Sequence, residues 1–220
     1  MRFILKFIRV KFPAFESFRH AVYTLPFAIY GWLRLRYPGV NGKLRIVPGA
    51  SGIFQRGWIP LEYPYFNILN EDSWHYWMAG KKADAILMEH VLEHFTASEA
   101  KVIFKHCKSN LARDGYIRIA VPDGKHPSLD YIAMVEPGGT GLGSETHRVL
   151  YNYKQLRSLL EENGYRVKLL EYYDDEGNFN TADWVLSDGC INRSSKGKNR
   201  MRKNFNYTSL IIDAFINHIT

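Results

Sequence analysis

The sequence of 220 residues has only two cysteines, Cys107 and Cys190, and neither belongs to a CxxC pair. Two cysteines are too few for the disulfide scaffold of a secreted domain, so we expect a reducing, cytoplasmic compartment. The longest apolar run, residues 21–33, has 13 residues and contains a threonine, a proline and a glycine. A helical membrane span needs about 20 apolar residues, so this run does not predict one. Lys6, Arg9 and Lys11 also interrupt the region where a cleaved signal peptide would be apolar.

Acidic residues are scarce in two segments of the chain. Residues 1–43 contain eight basic residues and one acidic residue, whereas the rest of the chain contains 21 of each. A second stretch, 193–203, contains six basic residues and no acidic one. The net charge of +7 is therefore concentrated in two basic segments attached to a nearly neutral body. An apolar fraction of 46% with 14 Tyr, 13 Phe and 5 Trp excludes a disordered chain.

The amino-terminal segment has the pattern of an amphipathic helix. Phe3, Phe7 and Val10 lie on one face of a helical wheel, and Arg2 and Lys6 lie on another. We therefore predict a basic helical extension over residues 1–40, followed by a domain over residues 41–220. Two interpretations stay open. Residues 1–36 lie on an anionic membrane surface, which would make the protein peripheral on the inner face of the membrane, or the apolar face packs on the protein's own core.

The segment after Gly42 alternates between strand and helix patterns. It predicts helices over 98–111 and 153–163, a turn at 113–115, and a basic loop over 192–206. The predicted strands are 43–47, 58–61, 65–69, 83–88, 116–121, 166–172 and 208–214. This order predicts an open, mostly parallel α/β sheet. Ligands of such sheets bind beyond the carboxyl ends of the strands, which directs attention to 47–52, 62–67, 88–95 and 122–148.

Several motifs resemble those of one enzyme family. They are DAILMEHVLEHF at 84–95, NLARDGYIRIAVPD at 110–123, ENGY at 162–165, GWIPLEY at 57–63, THRVLYNYKQL at 146–156 and YTSLIIDA at 207–214. Together they resemble class I S-adenosylmethionine-dependent methyltransferases, and most of all a small bacterial branch found with genes for cell-surface polysaccharides. The resemblance spans residues 43–214. It implies a Rossmann-like sheet with an antiparallel last strand, S-adenosylmethionine as cofactor, and methyl transfer to a hydroxyl of a small-molecule or glycan acceptor.

The resemblance also implies which residues hold the cofactor. Glu62, at the end of the second strand, matches the acid that accepts both ribose hydroxyls. Asn67 matches the position that faces the adenine edge. Val47 and Pro48 stand where the family has a glycine-rich pair, which favours the alternative of a catalytically inactive module at the membrane. The remaining predicted cofactor residues are Gly49, Ala50, Met88, Glu89 and His90.

A hydroxyl acceptor needs a base, and His147 is the first candidate. It follows the glycine-rich stretch 138–143, which we expect to act as a mobile lid. In the alternative interpretation, His147 caps the helix near Tyr153 or only binds the loop. Asp123 and His126 are the reserve candidates for the base. The residues expected to bind an anionic acceptor are Arg148, Tyr151 and Arg193.

The sequence predicts no metal site and disfavours nucleic acid as a substrate. His90 and His94 have the spacing of one helix face, with Glu93 beside them, and some quinone O-methyltransferases hold magnesium with a similar cluster. However, the HExxH order is absent and no third, distant ligand stands out. The basic stretch lacks interleaved stacking aromatics, and no Asn-Pro-Pro-Tyr motif for base methylation is present. The sequence does not indicate an oligomeric state.

Overall fold

A computed structural model describes residues 13–37, 42–52, 54–197 and 208–218. Within them, seven strands form one sheet with the order β2-β1-β3-β4-β7-β5-β6. Strands β1 to β4 are mutually parallel, and β7 lies antiparallel between β4 and β5. The strands are β1 (Arg45–Pro48), β2 (Ile59–Leu61), β3 (Ala83–Glu89), β4 (Leu111–Pro122), β5 (Tyr165–Tyr173), β6 (Phe179–Thr181) and β7 (Ser209–Ile216). This arrangement confirms the predicted Rossmann-like α/β sheet with an antiparallel last strand.

Five α-helices accompany the sheet in the described part of the chain. They are α1 (Pro13–Arg36), α2 (Glu71–Met78), α3 (Ala97–Asn110), α4 (Leu129–Val135) and α5 (Tyr153–Glu162). The two predicted helices correspond to α3 and α5. Each begins with a capping box, Thr96 with Glu99 in α3 and Asn152 with Gln155 in α5, so local side-chain hydrogen bonds fix where the helix starts.

Two local predictions are wrong. Residues 65–69 form turns instead of a strand. Asn67 Oδ1 accepts the N–H of Leu69, and such side-chain bonds to the backbone compete with strand pairing. The predicted turn at 113–115 belongs to β4. A Cβ on Gly115 would lie 2.9 Å from the Ala83 carbonyl oxygen, next to a shift of the β3–β4 register, so this glycine marks a close backbone approach at a sheet irregularity.

Helix α1 packs on the sheet through one face. Thr24, Ala28 and Leu35 are buried, and a Cβ on Gly31 would lie only 2.1 Å from the Pro60 carbonyl oxygen. The described part of the amino-terminal segment thus packs on the protein's own core, whereas the amphipathic pattern of residues 2–10 lies outside the described residues. None of the helices in the described ranges is both long enough and apolar enough to cross a membrane. Cys107 and Cys190 do not form a disulfide.

Candidate active site

The carboxyl ends of β1 and β3 meet at the point where the strand order reverses. Strand β1 pairs with β2 on one side and with β3 on the other, which is where open α/β sheets bind ligands. Gly49 follows β1 directly with φ +71°, and its N–H donates to the Leu61 carbonyl. A Cβ on Gly49 would lie 2.9 Å from Val91 Cγ2. The turn therefore requires glycine both for its backbone conformation and for the space under Val91.

The unusual Val47-Pro48 pair lies inside the strand. Val47 is buried, and Pro48 is in register with Leu61 of β2. Strand β1 pairs with β3 only as far as Ile46. Pro48 lies beyond this pairing, so its lack of an N–H costs no hydrogen bond between the two strands. The pair is thus compatible with an intact strand end, and the turn itself begins only at Gly49.

Glu62 stands at the end of β2, as predicted, and faces this turn. Its carboxylate accepts the N–H of Ser51 at 3.1 Å and that of Gly52 at 3.2 Å. Burial raises the pKa of Glu62, and the two backbone hydrogen bonds only partly oppose the shift. Gly52 in turn packs against the Phe27 ring of α1. Each oxygen of the Glu62 carboxylate keeps a lone pair that can accept a further hydrogen bond. Glu62 and the glycine turn thus offer groups of the type that a ribose-bearing cofactor needs.

The other predicted cofactor residues have different environments. Asn67 is exposed, and its side-chain oxygen accepts the N–H of Leu69 in the turn before α2. Met88 is fully buried in the core, and Ala50 is buried in a second apolar cluster. The Glu89 carboxylate accepts the N–H of Arg193 at 3.1 Å, so it ties the start of the basic loop to the sheet.

His90 ends β3 with a sharp change of direction. Its φ is +56°, a conformation uncommon outside glycine but less so for His than for most other residues. A short 3-10 helix, Leu92–His94, follows. The prediction that His90 and His94 share a helix face is therefore wrong, because the strand continues to Glu89 and the helical turn starts only after His90.

The buried Glu93 carboxylate lies close to three imidazoles. We call Glu93, His90, His94 and His147 the Glu93 cluster. Glu93 is 1% exposed, and its Oε1 lies 2.8 Å from His90 Nδ1 and 4.0 Å from His147 Nε2. The Glu93 backbone carbonyl accepts the N–H of Arg148 at 2.7 Å. Segments more than 50 residues apart are thus joined at one buried acid. Burial would raise the pKa of Glu93, but His90 and His94 outweigh it and the net shift is downward.

His147 is oriented by the backbone. Its Nδ1 donates to the Val135 carbonyl at 2.6 Å, and its ring lies 4.9 Å from that of His94. Burial is the main reason that the pKa of His94 is lowered. Helix α5 is capped by Asn152, so the alternative in which His147 caps that helix is wrong.

A family model described as a methyltransferase domain matches residues 15–170. The chain belongs to this methyltransferase-domain family. Membership confirms that the chain contains a methyltransferase domain, as its motifs indicate. The match includes α1 from residue 15 onward and every strand from β1 to β4. It also includes the Glu93 cluster, whereas Arg193 and β7 lie outside it.

Three solved structures are similar to the chain at low sequence identity. LepI in complex with SAM has 13% identity and a TM-score of 0.44, covering 84% of this chain and 39% of that chain. A SAM-dependent methyltransferase from Archaeoglobus fulgidus has 17% identity and a TM-score of 0.41, covering 84% and 91%. Magnesium protoporphyrin IX methyltransferase from Synechocystis PCC 6803 with bound SAH has 12% identity and a TM-score of 0.43, covering 99% and 100%. The chain spans about two fifths of the length of LepI. No curated protein matches it significantly.

The reserve candidates for the base, Asp123 and His126, both contact other residues of the protein. Asp123 is fully buried, and its carboxylate accepts the N–H of Tyr173 at 2.8 Å and of Lys125 at 2.9 Å. Burial raises its pKa to about 6. His126 stacks on Tyr131 with ring centroids 4.0 Å apart. These contacts hold the loop after β4, and they occupy both carboxylate oxygens of Asp123.

The three residues predicted to bind the acceptor differ in their contacts and in their exposure. Arg193 Nη1 lies 3.2 Å from His90 Nδ1. Tyr151 is buried, and burial raises its pKa to about 12. Arg148 is exposed; the pKa of Glu99 on α3 is lowered mainly by hydrogen bonds from Thr96, and the charge of Arg148 adds only a small effect. Glu93 itself was considered from the sequence only as a metal ligand. Its full burial depends on residues 147–149, which no local pattern connects to it.

Proposed function

We propose that the chain transfers a methyl group from S-adenosylmethionine to a hydroxyl of a small-molecule or surface-glycan acceptor. The observation that carries this proposal is the position of the imidazole–carboxylate cluster. Val91 covers Gly49 of the cofactor turn, and Glu93 follows Val91 by two residues. A group able to accept a proton therefore stands next to the turn that the family uses for its cofactor.

Gly49 and Glu62 would hold the cofactor, which supplies a methyl group activated by a positively charged sulfur. Glu62 would accept the ribose hydroxyls. Because Glu62 is only 1% exposed and already binds the Ser51 and Gly52 amides, we expect cofactor binding to displace this two-residue segment. The proposal thus includes a local rearrangement at the start of the β1–β2 connection.

The acceptor oxygen would form the new bond to the methyl carbon. The cofactor would supply the methyl group and keep the electron pair of its carbon–sulfur bond, and the hydroxyl proton would pass to the Glu93 cluster. His147 is the group best prepared to take it. Its Nδ1 carries the proton donated to Val135, so Nε2 has a free lone pair, and the Glu93 carboxylate would stabilise the resulting imidazolium.

The basic groups favour an anionic acceptor such as a phosphorylated or lipid-linked sugar. Arg193 lies at the cluster, and residues 192–203 carry a basic stretch. The resemblance to the polysaccharide-associated branch supports the same class of acceptor. A matched pair of substrates, a sugar phosphate and the same sugar without phosphate, tests the contribution of charge. Arg193→Gln should reduce the preference for the phosphorylated form.

A specific surface favours membrane attachment as part of this function. Helix α1 leaves a row of apolar side chains uncovered on a face different from the one that packs on β2. Phe18 is 67%, Val22 56% and Ile29 51% exposed, and Leu25 and Leu33 continue the row at helical spacing. Residues 1–43 around this row are strongly basic. An apolar face with flanking positive charge is what an anionic bilayer surface binds.

The function is tested by S-adenosylhomocysteine titration and by transfer of an isotope-labelled methyl group to sugar phosphates and lipid-linked sugars. His147→Gln should keep the affinity for S-adenosylhomocysteine and lose about 10²–10⁴-fold in kcat. The matched control is His75→Gln, because His75 is an exposed histidine on α2. Absence of binding at millimolar S-adenosylhomocysteine would instead support the inactive module. Full activity of His147→Gln would remove His147 from the reaction.

A further inference from the structure

Glu93, His94 and His147 form a compact set of three groups that can bind a metal. Each offers one ligand atom, and these atoms all lie within 4.8 Å of one another. Ligand atoms around a bound transition metal are about 3–3.4 Å apart. The longest of these distances would therefore need to shorten by up to about 1.4–1.8 Å. The sequence argued against a metal because no distant third ligand was visible, and the fold supplies that residue in His147.

The hydrogen bonds around both imidazoles leave the same ring nitrogen free. His147 Nδ1 donates to the Val135 carbonyl, since a carbonyl can only accept. The Thr146 hydroxyl donates to the Gly143 carbonyl at 2.8 Å, so it accepts from His94 Nδ1 at 2.9 Å. In both histidines Nε2 is therefore the nitrogen with the lone pair. Metal-binding histidines are characteristically fixed in this way by a partner on the other nitrogen.

The third group presents an unsatisfied oxygen. Among the described residues, Glu93 Oε2 exposes less than 1 Å² and has no hydrogen-bond partner. Buried polar atoms nearly always have a partner. One ligand atom from each imidazole and one from the carboxylate lie within 4.8 Å of one another, and the hydrogen bonds of the two Nδ1 atoms leave neither Nε2 with a hydrogen. A cation among them satisfies all three groups at once.

We propose that Glu93, His94 and His147 bind one divalent transition-metal ion. Two imidazoles and one carboxylate suit Zn²⁺, Co²⁺ or Mn²⁺ better than Mg²⁺, which prefers an all-oxygen shell. Three protein ligands leave coordination positions open. The metal-binding part of this inference stands without the proposed methyl transfer, whereas its catalytic use rests on it. There the ion would lower the pKa of the acceptor hydroxyl, which would release its proton to water, and His147 Nε2 would take the proton directly only in the metal-free protein.

The test uses the full chain, freed of metal with a chelator and titrated with Co²⁺ while visible absorption is recorded. We expect one Co²⁺ per chain, displaced by Zn²⁺. His147→Gln and Glu93→Gln should each weaken Co²⁺ binding by at least tenfold, and His75→Gln should not. Glu62→Gln should leave Co²⁺ binding unchanged, because Glu62 faces the cofactor turn.

Circular dichroism identifies any variant that fails to fold. If buried Glu93→Gln unfolds, His147→Gln decides the matter, since the His147 side chain is 10% exposed and that of Glu93 only 1%. No Co²⁺ binding by the wild type, or unchanged binding in His147→Gln, would overturn the metal site. Parallel titration with S-adenosylhomocysteine separates the two proposals. Metal binding without cofactor binding refutes only the proposed function, and cofactor binding without metal binding refutes only the metal site.

Discussion

Replacing Glu62 by glutamine tests the cofactor assignment directly. The wild-type carboxylate accepts the N–H groups of Ser51 and Gly52, one on each oxygen. Glutamine keeps one acceptor oxygen and places an NH₂ group against the other N–H. One buried hydrogen bond is therefore lost and a donor is left unpaired, which costs about 1–3 kcal/mol of folding free energy. In a chain of this size the expected fall in Tm is roughly 2–12 °C.

The same change should weaken cofactor binding more specifically. A hydrogen bond from a ribose hydroxyl to a charged carboxylate contributes about 1.5–3 kcal/mol. Loss of one such bond raises Kd by roughly 10–150-fold. Calorimetric titration with S-adenosylhomocysteine at a temperature well below both Tm values measures this change without interference from unfolding.

Glu171→Gln is the matched control for this experiment. Glu171 is fully buried, and its carboxylate accepts hydrogen bonds from Trp184 Nε1, Ser195 N and Ser195 Oγ. The variant should lose stability similarly while keeping cofactor affinity. A folded Glu62→Gln chain with wild-type affinity for S-adenosylhomocysteine would refute the assignment of Glu62 to the ribose. Equal loss of affinity in both variants would show an effect of stability alone.

Three further outcomes follow from the geometry. Because the folded pKa of Asp123 is raised to about 6 from about 3.9 in the unfolded chain, its ionisation destabilises the fold as pH rises. Between pH 4 and 7, the free energy of unfolding of the wild type should fall by roughly 2 kcal/mol relative to Asp123→Asn, measured by urea unfolding; a constant difference would contradict this. Gly31→Ala should destabilise by about 1–3 kcal/mol, against the gain that alanine usually gives in a helix, since its Cβ would lie 2.1 Å from a carbonyl oxygen of β2; increased stability in urea unfolding would show that α1 does not pack this closely. The double variant Val22→Glu/Ile29→Glu should lose flotation with anionic liposomes, whereas Val102→Glu, at an exposed position of α3, should not; equal flotation of all three chains would refute membrane attachment through α1.

The sequence predicts the sheet well because its strands carry continuous apolar runs between clear breaks. Residues 83–88 and 116–121 are buried in parallel strands at the centre of the sheet, and the capping boxes mark two helices. Short elements at the edges are less predictable. Helix α2 begins at the Asn70 cap, but an aromatic-rich stretch before it also has strand character, and only tertiary packing decides between them.

The sequence allowed us to predict the positions of the residues at the strand ends. It did not allow us to predict how the Glu93 cluster is assembled. Gly49 and Glu62 follow strands, so their positions come from the order of elements alone. The role of Glu93 depends on a hydrogen bond that the Arg148 N–H donates to the Glu93 carbonyl. The two residues are 55 positions apart in the sequence. Spacing between His90 and His94 indicated a helix face, but the left-handed turn at His90 separates them. No periodic pattern encodes a contact of that kind.

The glycine-rich stretch 138–143, which we expect to act as a lid, packs on the end of α4 in the structure. A Cβ on Gly141 would lie 2.6 Å from the Met134 carbonyl oxygen, and the Gly141 N–H donates to that carbonyl at 2.9 Å. The Ser144 hydroxyl binds the carbonyls of Gly139 and Gly141. The glycines thus permit close packing on the end of α4, the helix whose last residue, Val135, also orients His147. The loop, helix and imidazole therefore form one hydrogen-bonded unit, and the position of Nε2 opposite Glu93 depends on backbone contacts that only glycine allows.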